Sequence, residues 1–244
     1  MFTKRELFHL TITVLILSFV FGWNDGQTIF VAEHWLANFI KIVAIVLLAL
    51  LAHELGHKFV AKRYDLQTEY KINNIERIWF NTKLKKPLPL WAILSVLLTF
   101  LSRGQLPFTS IGTTTVTADE KMRIGRKFTF PTGYEEALIL LAGPFANLLL
   151  ILLSKLAGNA LGTEFNTFMY INLIIAFWSL VPLPGFDGNA IYFGSRYVYF
   201  FGVSFFVISL LFHFFSIILA LVLGLLLAGL TTFLYYFGMI KLKK

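Results

Sequence analysis

Long stretches of this chain carry no charged side chain, and that feature restricts its fold more than any other. Residues 7–23, 137–153 and 197–237 contain no Asp, Glu, Lys or Arg. Runs of about twenty apolar residues match the hydrocarbon thickness of a bilayer. Soluble domains carry roughly a quarter charged residues; here only 14% are charged and 57% are hydrophobic. The composition therefore places the chain among polytopic membrane proteins. The net charge of +8 sits in short clusters between apolar runs, where Lys and Arg mark cytoplasmic loops. That pattern is topological and implies no nucleic-acid partner. No cysteine is present, so thiolate metal ligands and disulfides are excluded. The N-terminal run lacks a small-x-small cleavage site and is expected to stay as the first span.

Spans are expected near residues 7–23, from 37 past 51, at 134–156 and at 165–183. The stretch 197–237 is too long for one crossing and divides near His213 and Ser216 into two helices. Alternating segments at 70–72 and 75–80, and the Thr-rich stretch 113–117, read as short strands. The run 88–102 is the ambiguous one. If it crosses, Lys121, Arg123, Arg126 and Lys127 fall outside. If it dips in and returns, they fall inside, as the charge rule prefers. The expectation is an all-α polytopic membrane protein with about six transmembrane helices. A re-entrant or surface segment and short β-strands near the active site complete it. One domain, 1–244, is expected, with core spans at about 37–188 and peripheral helices at 7–23 and 197–238. Lys4 and Arg5 precede the first span, and Lys241, Lys243 and Lys244 follow the last. Both termini are thus expected in the cytoplasm, with the cell membrane as location. Trp23, Trp35 and Trp91 fit an interfacial aromatic belt, and His9, His34 and His213 read as single histidines near span ends.

The chemistry is concentrated in His53-Glu54-Leu55-Gly56-His57. Residues four apart share one face of a helix, so His53 and His57 can hold one metal ion, with Glu54 beside it as general base. An amphipathic surface helix can match this pattern by accident, but here the motif ends an apolar run. An ionisable group inside a membrane costs about 2.5–3.5 kcal/mol, and metal ligation offsets that cost. Catalytic zinc takes three protein ligands and a water. Without cysteine, the third ligand must be His, Asp or Glu in another apolar segment. Asp187 follows the span 165–183 inside Pro182-Leu183-Pro184-Gly185-Phe186-Asp187-Gly188, a composition that breaks a helix. An interfacial Asp at a helix end has the same pattern. Only with 88–102 re-entrant do Asp187 and the histidines lie toward the same membrane face, so charge and coordination require the same topology.

H-E-L-G-H in one span, A-G-P-F-A-N (residues 142–147) in another and P-L-P-G-F-D-G after a third resemble the site-2 proteases. These are intramembrane zinc metalloproteases that cut the transmembrane helices of other proteins. The resemblance covers roughly residues 37–188. It implies one zinc ion held by His53, His57 and Asp187, water activation by Glu54, and a membrane-anchored protein substrate that reaches the site through the bilayer or from the cytoplasmic face. It also implies strands that hold an unwound substrate. The family's usual Asn eight residues before the ligand Asp, a donor near the scissile carbonyl, is Ser179 here. Asn147 is expected to cap backbone or line the site. Residues 157–164 leave no room for an inserted PDZ domain, and no CBS pair follows, so the chain looks like a minimal member. Two other functions fit parts of the pattern. A zinc-binding but inactive scaffold or chaperone would not need Glu54. A cation transporter would need ionisable groups at several depths and inverted repeats.

Overall fold

Local chemistry sets where the helices begin and end. The computed structural model describes residues 2–27, 29–78, 82–118, 130–212 and 216–241. Helix α1 (Lys4–Gly22) starts on a capping box: the Thr3 hydroxyl accepts from the Glu6 N–H, and the Glu6 carboxylate accepts from the Thr3 N–H. Two donors that a helix start leaves open are thereby satisfied. Helix α4 (Gly133–Leu161) repeats the device with Thr132 and Glu135 and ends at Gly162. Helix α2 (Ala32–Arg63) is one element of 32 residues, so the apolar run and the H-E-L-G-H turn share one axis.

Between α2 and α4 the chain makes a closed excursion. It comprises β1 (Leu66–Ile72), β2 (Ile75–Ile78), β3 (Thr82–Leu88), α3 (Leu90–Leu101) and β4 (Gly112–Ala118). β1 and β4 pair antiparallel, with Leu66 opposite Ala118 and Ile72 opposite Gly112. The chain therefore leaves the end of α2 at Leu66 and is back beside it at Ala118. β2 and β3 form a second antiparallel pair. The strand expected at 113–117 is β4, and that at 75–80 is β2 as far as Ile78. Residues 79–80 lie outside the described residues, as do Lys121, Arg123, Arg126, Lys127, His213, Lys243 and Lys244.

After α4 come α5 (Asn166–Leu180), α6 (Asp187–Gly194), α7 (Arg196–Phe212) and α8 (Ile217–Lys241). The protein is mostly helical, and among the described residues α1, α2, α4 and α8 are long and apolar enough to cross a membrane. The apolar helices α3, α5 and α7 are shorter, at 12, 15 and 17 residues. α5 stops at Leu180 because Pro182 and Pro184 follow it; at 1.5 Å per residue it is roughly 22 Å long, against a hydrocarbon core of about 30 Å.

Two apolar clusters share α5. Val14 and Leu17 of α1 pack with Ile42, Val46 and Leu50 of α2 and Ile171 and Ile175 of α5. Leu140 and Leu148 of α4 pack with Ala176 and Leu180 of α5, Ile191 of α6 and Phe206 of α7. α2 and α4 approach closely at Gly56, where an added Cβ would stand 2.6 Å from the Ala142 carbonyl oxygen. A partly buried ion pair ties α1 to this framework. Lys58 Nζ lies 2.8 Å from Glu6 Oε1 and donates to the Thr68 carbonyl, while the Tyr70 N–H donates to Glu6. The start of α1, the end of α2 and β1 are thus held at one point.

Candidate metal centre

The H-E-L-G-H turn lies where α2 packs on α4, and its three polar side chains are all buried: His53 is 5% exposed, Glu54 1% and His57 0%. Buried polar groups need partners, and those partners reveal the tautomers. His57 Nδ1 lies 2.9 Å from the Ile139 carbonyl oxygen of α4. A carbonyl only accepts, so Nδ1 carries a proton, and in the neutral ring Nε2 then presents a lone pair. His53 Nδ1 lies 2.6 Å from Asn147 Oδ1. The Asn147 amide is oriented by its own Nδ2, which donates to the Ala49 carbonyl and to Asn172 Oδ1. Oδ1 is therefore the acceptor, and in the neutral ring His53 likewise presents an Nε2 lone pair.

Asp187 reaches the same place from the other side, at the start of α6. Its Oδ2 lies 3.5 Å from His53 Nε2 and 3.7 Å from His57 Nε2. The Pro182–Gly188 loop is held by several contacts. Gly185 adopts a left-handed φ of 87°, open to glycine at little steric cost, and its carbonyl accepts from Asn73 Nδ2. Phe186 packs on Trp91 and Phe108, and Phe108 packs on Trp178. Trp91, expected in an interfacial belt, thus braces the loop that carries Asp187. The Ser179 hydroxyl donates to Asp187 Oδ2 at 2.9 Å.

These residues fit a metal ion. One ligand atom from each of His53, His57 and Asp187 lies within 4.8 Å of the others. Tetrahedral zinc with bonds of about 2.0–2.2 Å sets its ligand atoms roughly 3.4 Å apart. His57 Nε2 and Asp187 Oδ1 are buried without a hydrogen-bond partner, an arrangement that costs roughly 1–3 kcal/mol per group unless something binds there. The set is nitrogen and oxygen donors, suited to zinc. A cavity of about 40 Å³ borders it, lined in part by Glu54, Tyr70, Thr114 and Ser179. That is room for an ion and a water but far below the roughly 300–1,000 Å³ of pockets that take larger ligands.

A protein of Methanocaldococcus jannaschii named "Putative zinc metalloprotease" is 27% identical to this chain over 199 residues, covering 78% of this chain and 84% of that one. No family model matches the chain, and no solved structure matches it.

Of the residues singled out from sequence, His53, His57 and Asp187 converge on one point, with Glu54 at the bordering cavity, Asn147 behind His53 and Ser179 on Asp187. Three further residues belong to the site. Asn172 supports Asn147 and was signalled only by being an amide in an apolar helix, where such a group demands a partner. Thr114 of β4 donates to Glu54, and nothing distinguished it from its threonine neighbours. Tyr70 lines the cavity and shares a hydrogen bond of 2.9 Å with Thr13. Burial pushes its phenol well above the ordinary range, which the Thr13 bond only partly offsets, so it stays neutral.

Proposed function

We propose that this chain is a zinc-dependent intramembrane endopeptidase of the site-2 protease type, cleaving membrane-anchored proteins within or near their transmembrane segments. One observation carries the reading: two imidazoles on a helix long and apolar enough to cross a membrane converge with the Asp187 carboxylate of α6, and Glu54 of the same helix borders them. The resemblance of the three motifs and the likeness to the archaeal protein support it.

His53, His57 and Asp187 hold the metal, one zinc ion per chain. Zinc held there supplies a Lewis acid for the scissile carbonyl and brings the pKa of a water toward about 7. Glu54 takes the proton from the attacking water and delivers it to the leaving amine. Asn147 and the Ile139 carbonyl keep both imidazoles in the ligating tautomer, and Ser179 fixes the carboxylate of Asp187. With its hydroxyl on Asp187, Ser179 acts through that carboxylate.

The proposed topology has six spans, α1, α2, α4, α5, α7 and α8, in a single domain of the cell membrane with both termini cytoplasmic. The segment carrying α3 enters and leaves on one side, a reading supported by the return of β4 to Leu66. The partners are the bilayer and a membrane-anchored protein, with no nucleic acid.

The test is Glu54→Gln in purified protein. It keeps the size of the side chain and removes the base. Zinc content should be unchanged, while hydrolysis of a membrane-anchored test substrate should fall by roughly 10²–10⁴-fold. Near wild-type cleavage by the variant would show that Glu54 is not the base. A wild type that binds zinc and cleaves nothing would favour a scaffold or chaperone.

A further inference from the structure

A general base works only if its carboxylate is held within hydrogen-bond reach of the proton it takes. Glu54 has several side-chain torsions to fix, and its backbone helix does not fix them. Among the described residues one side chain hydrogen-bonds its carboxylate. The Thr114 hydroxyl donates to it, lying 3.2 Å from Oε1 and 3.1 Å from Oε2. Both groups are buried, where a hydrogen bond is electrostatically stronger than in bulk water.

The placement of that hydroxyl is set from outside the metal centre. Thr114 pairs with Tyr70 across the β1–β4 ladder. Tyr70 is fixed to α1 twice, by its hydroxyl to Thr13 and by its N–H to Glu6. Lys58, one residue beyond His57 on α2, bonds both Glu6 and the Thr68 carbonyl of β1. Strand and catalytic helix are therefore referenced to the same ion pair, and the distance from Thr114 to Glu54 is built into the fold.

We propose that Thr114 is a positioning residue for Glu54: its hydroxyl holds the carboxylate aimed into the cavity that borders the metal ligands. The inference rests on the metalloprotease reading and names a residue which that reading alone does not require. Thr114 also differs from a substrate-binding residue, because its hydroxyl proton is committed to the carboxylate rather than to the peptide.

The experiment compares Thr114→Val, Thr114→Ser, Glu54→Gln and wild type, purified in detergent, on a membrane-anchored test substrate, with zinc content measured for each. Valine keeps the shape and removes the donor. A hydrogen bond to a charged group corresponds to roughly ten- to hundredfold. Thr114→Val should lower kcat by about that factor, with KM within about twofold and zinc unchanged, and Thr114→Ser should recover most of the loss. A wild-type kcat in Thr114→Val overturns the proposal. So does a rise in KM alone, which would make Thr114 a substrate contact. Loss of zinc from both Thr114 variants overturns it in favour of a purely structural role. If Thr114→Val matches a wild type that outpaces Glu54→Gln, this proposal alone fails. If wild type cleaves no faster than Glu54→Gln, the protease reading fails and this proposal with it.

Discussion

Gly143→Ala tests the metal centre without touching any ligand. Gly143 sits on α4 where both imidazoles pack against the helix. A Cβ added there would stand 2.6 Å from His53 Nε2 and closer still to the His57 ring. Ordinary contact begins at 3.4 Å, so the His53 ring would have to retreat by about 0.8 Å, and the His57 ring by more. Metal–ligand distances tolerate only about 0.2 Å, and neither ring has slack, because each Nδ1 is tied to Asn147 or to the Ile139 carbonyl. Substitutions that merely disturb the groups behind a ligand cost about 10–100-fold in metal affinity. Gly143→Ala moves two ligand atoms directly and should cost at least about 100-fold. Overpacking should also lower stability by roughly 1–3 kcal/mol. Competition against a chromophoric zinc chelator measures the affinity, and thermal unfolding of the metal-free protein measures the packing cost separately. Gly229→Ala is the control, since nothing lies within 4 Å of its added Cβ. Wild-type zinc affinity in Gly143→Ala would refute the placement of both imidazoles against α4.

Asn147→Ala should weaken zinc binding by about 10–100-fold, because His53 loses the acceptor that sets its tautomer; the same chelator competition reads it, and unchanged affinity would remove the orienting role. The chain has no native cysteine, so single cysteines placed along 110–118 report on topology. They should react with impermeant reagents from the cytoplasmic side, and labelling from the opposite side would overturn the re-entrant reading of the α3 segment.

Much of this arrangement could be read from the residues, and the parts that could not share a cause. The apolar runs are local signals, and so is the four-residue spacing of His53 and His57; both survive in the structure as α1, α2 and α4 and as one imidazole pair. Asp187 was reachable because few acidic residues lie in apolar surroundings. Pairings between distant segments were not legible. Alternation marks 113–117 as a strand, yet nothing local says that Thr114 rather than Thr113 or Thr115 faces Glu54. A one-residue slip in register would turn the other face inward, and the register is set by Tyr70, Thr13 and Glu6. The role of Ser179 was hidden for a similar reason. The prolines mark the end of the helix, but nothing local says that the loop behind them folds Asp187 back onto the Ser179 hydroxyl. The shortness of α5 is the same event seen from the other end.

The hydrogen bonds around the two imidazoles argue for a cation more strongly than the motif does. Each Nδ1 faces an oxygen that only accepts, so in the neutral rings each Nε2 is an acceptor. Both acceptors point toward Asp187, whose carboxylate oxygens accept as well. The separations of 3.5 and 3.7 Å exceed the roughly 2.7–2.9 Å of charge-assisted hydrogen bonds, so protonated rings bonded to the carboxylate account for them poorly. Three electron-pair donors facing one another inside an apolar bundle repel and are desolvated at the same time. A divalent cation between them reverses the sign of both effects. Asn147, Asn172 and the Ile139 carbonyl have no need of a metal themselves, yet together they enforce the one tautomer that would be unfavourable without it.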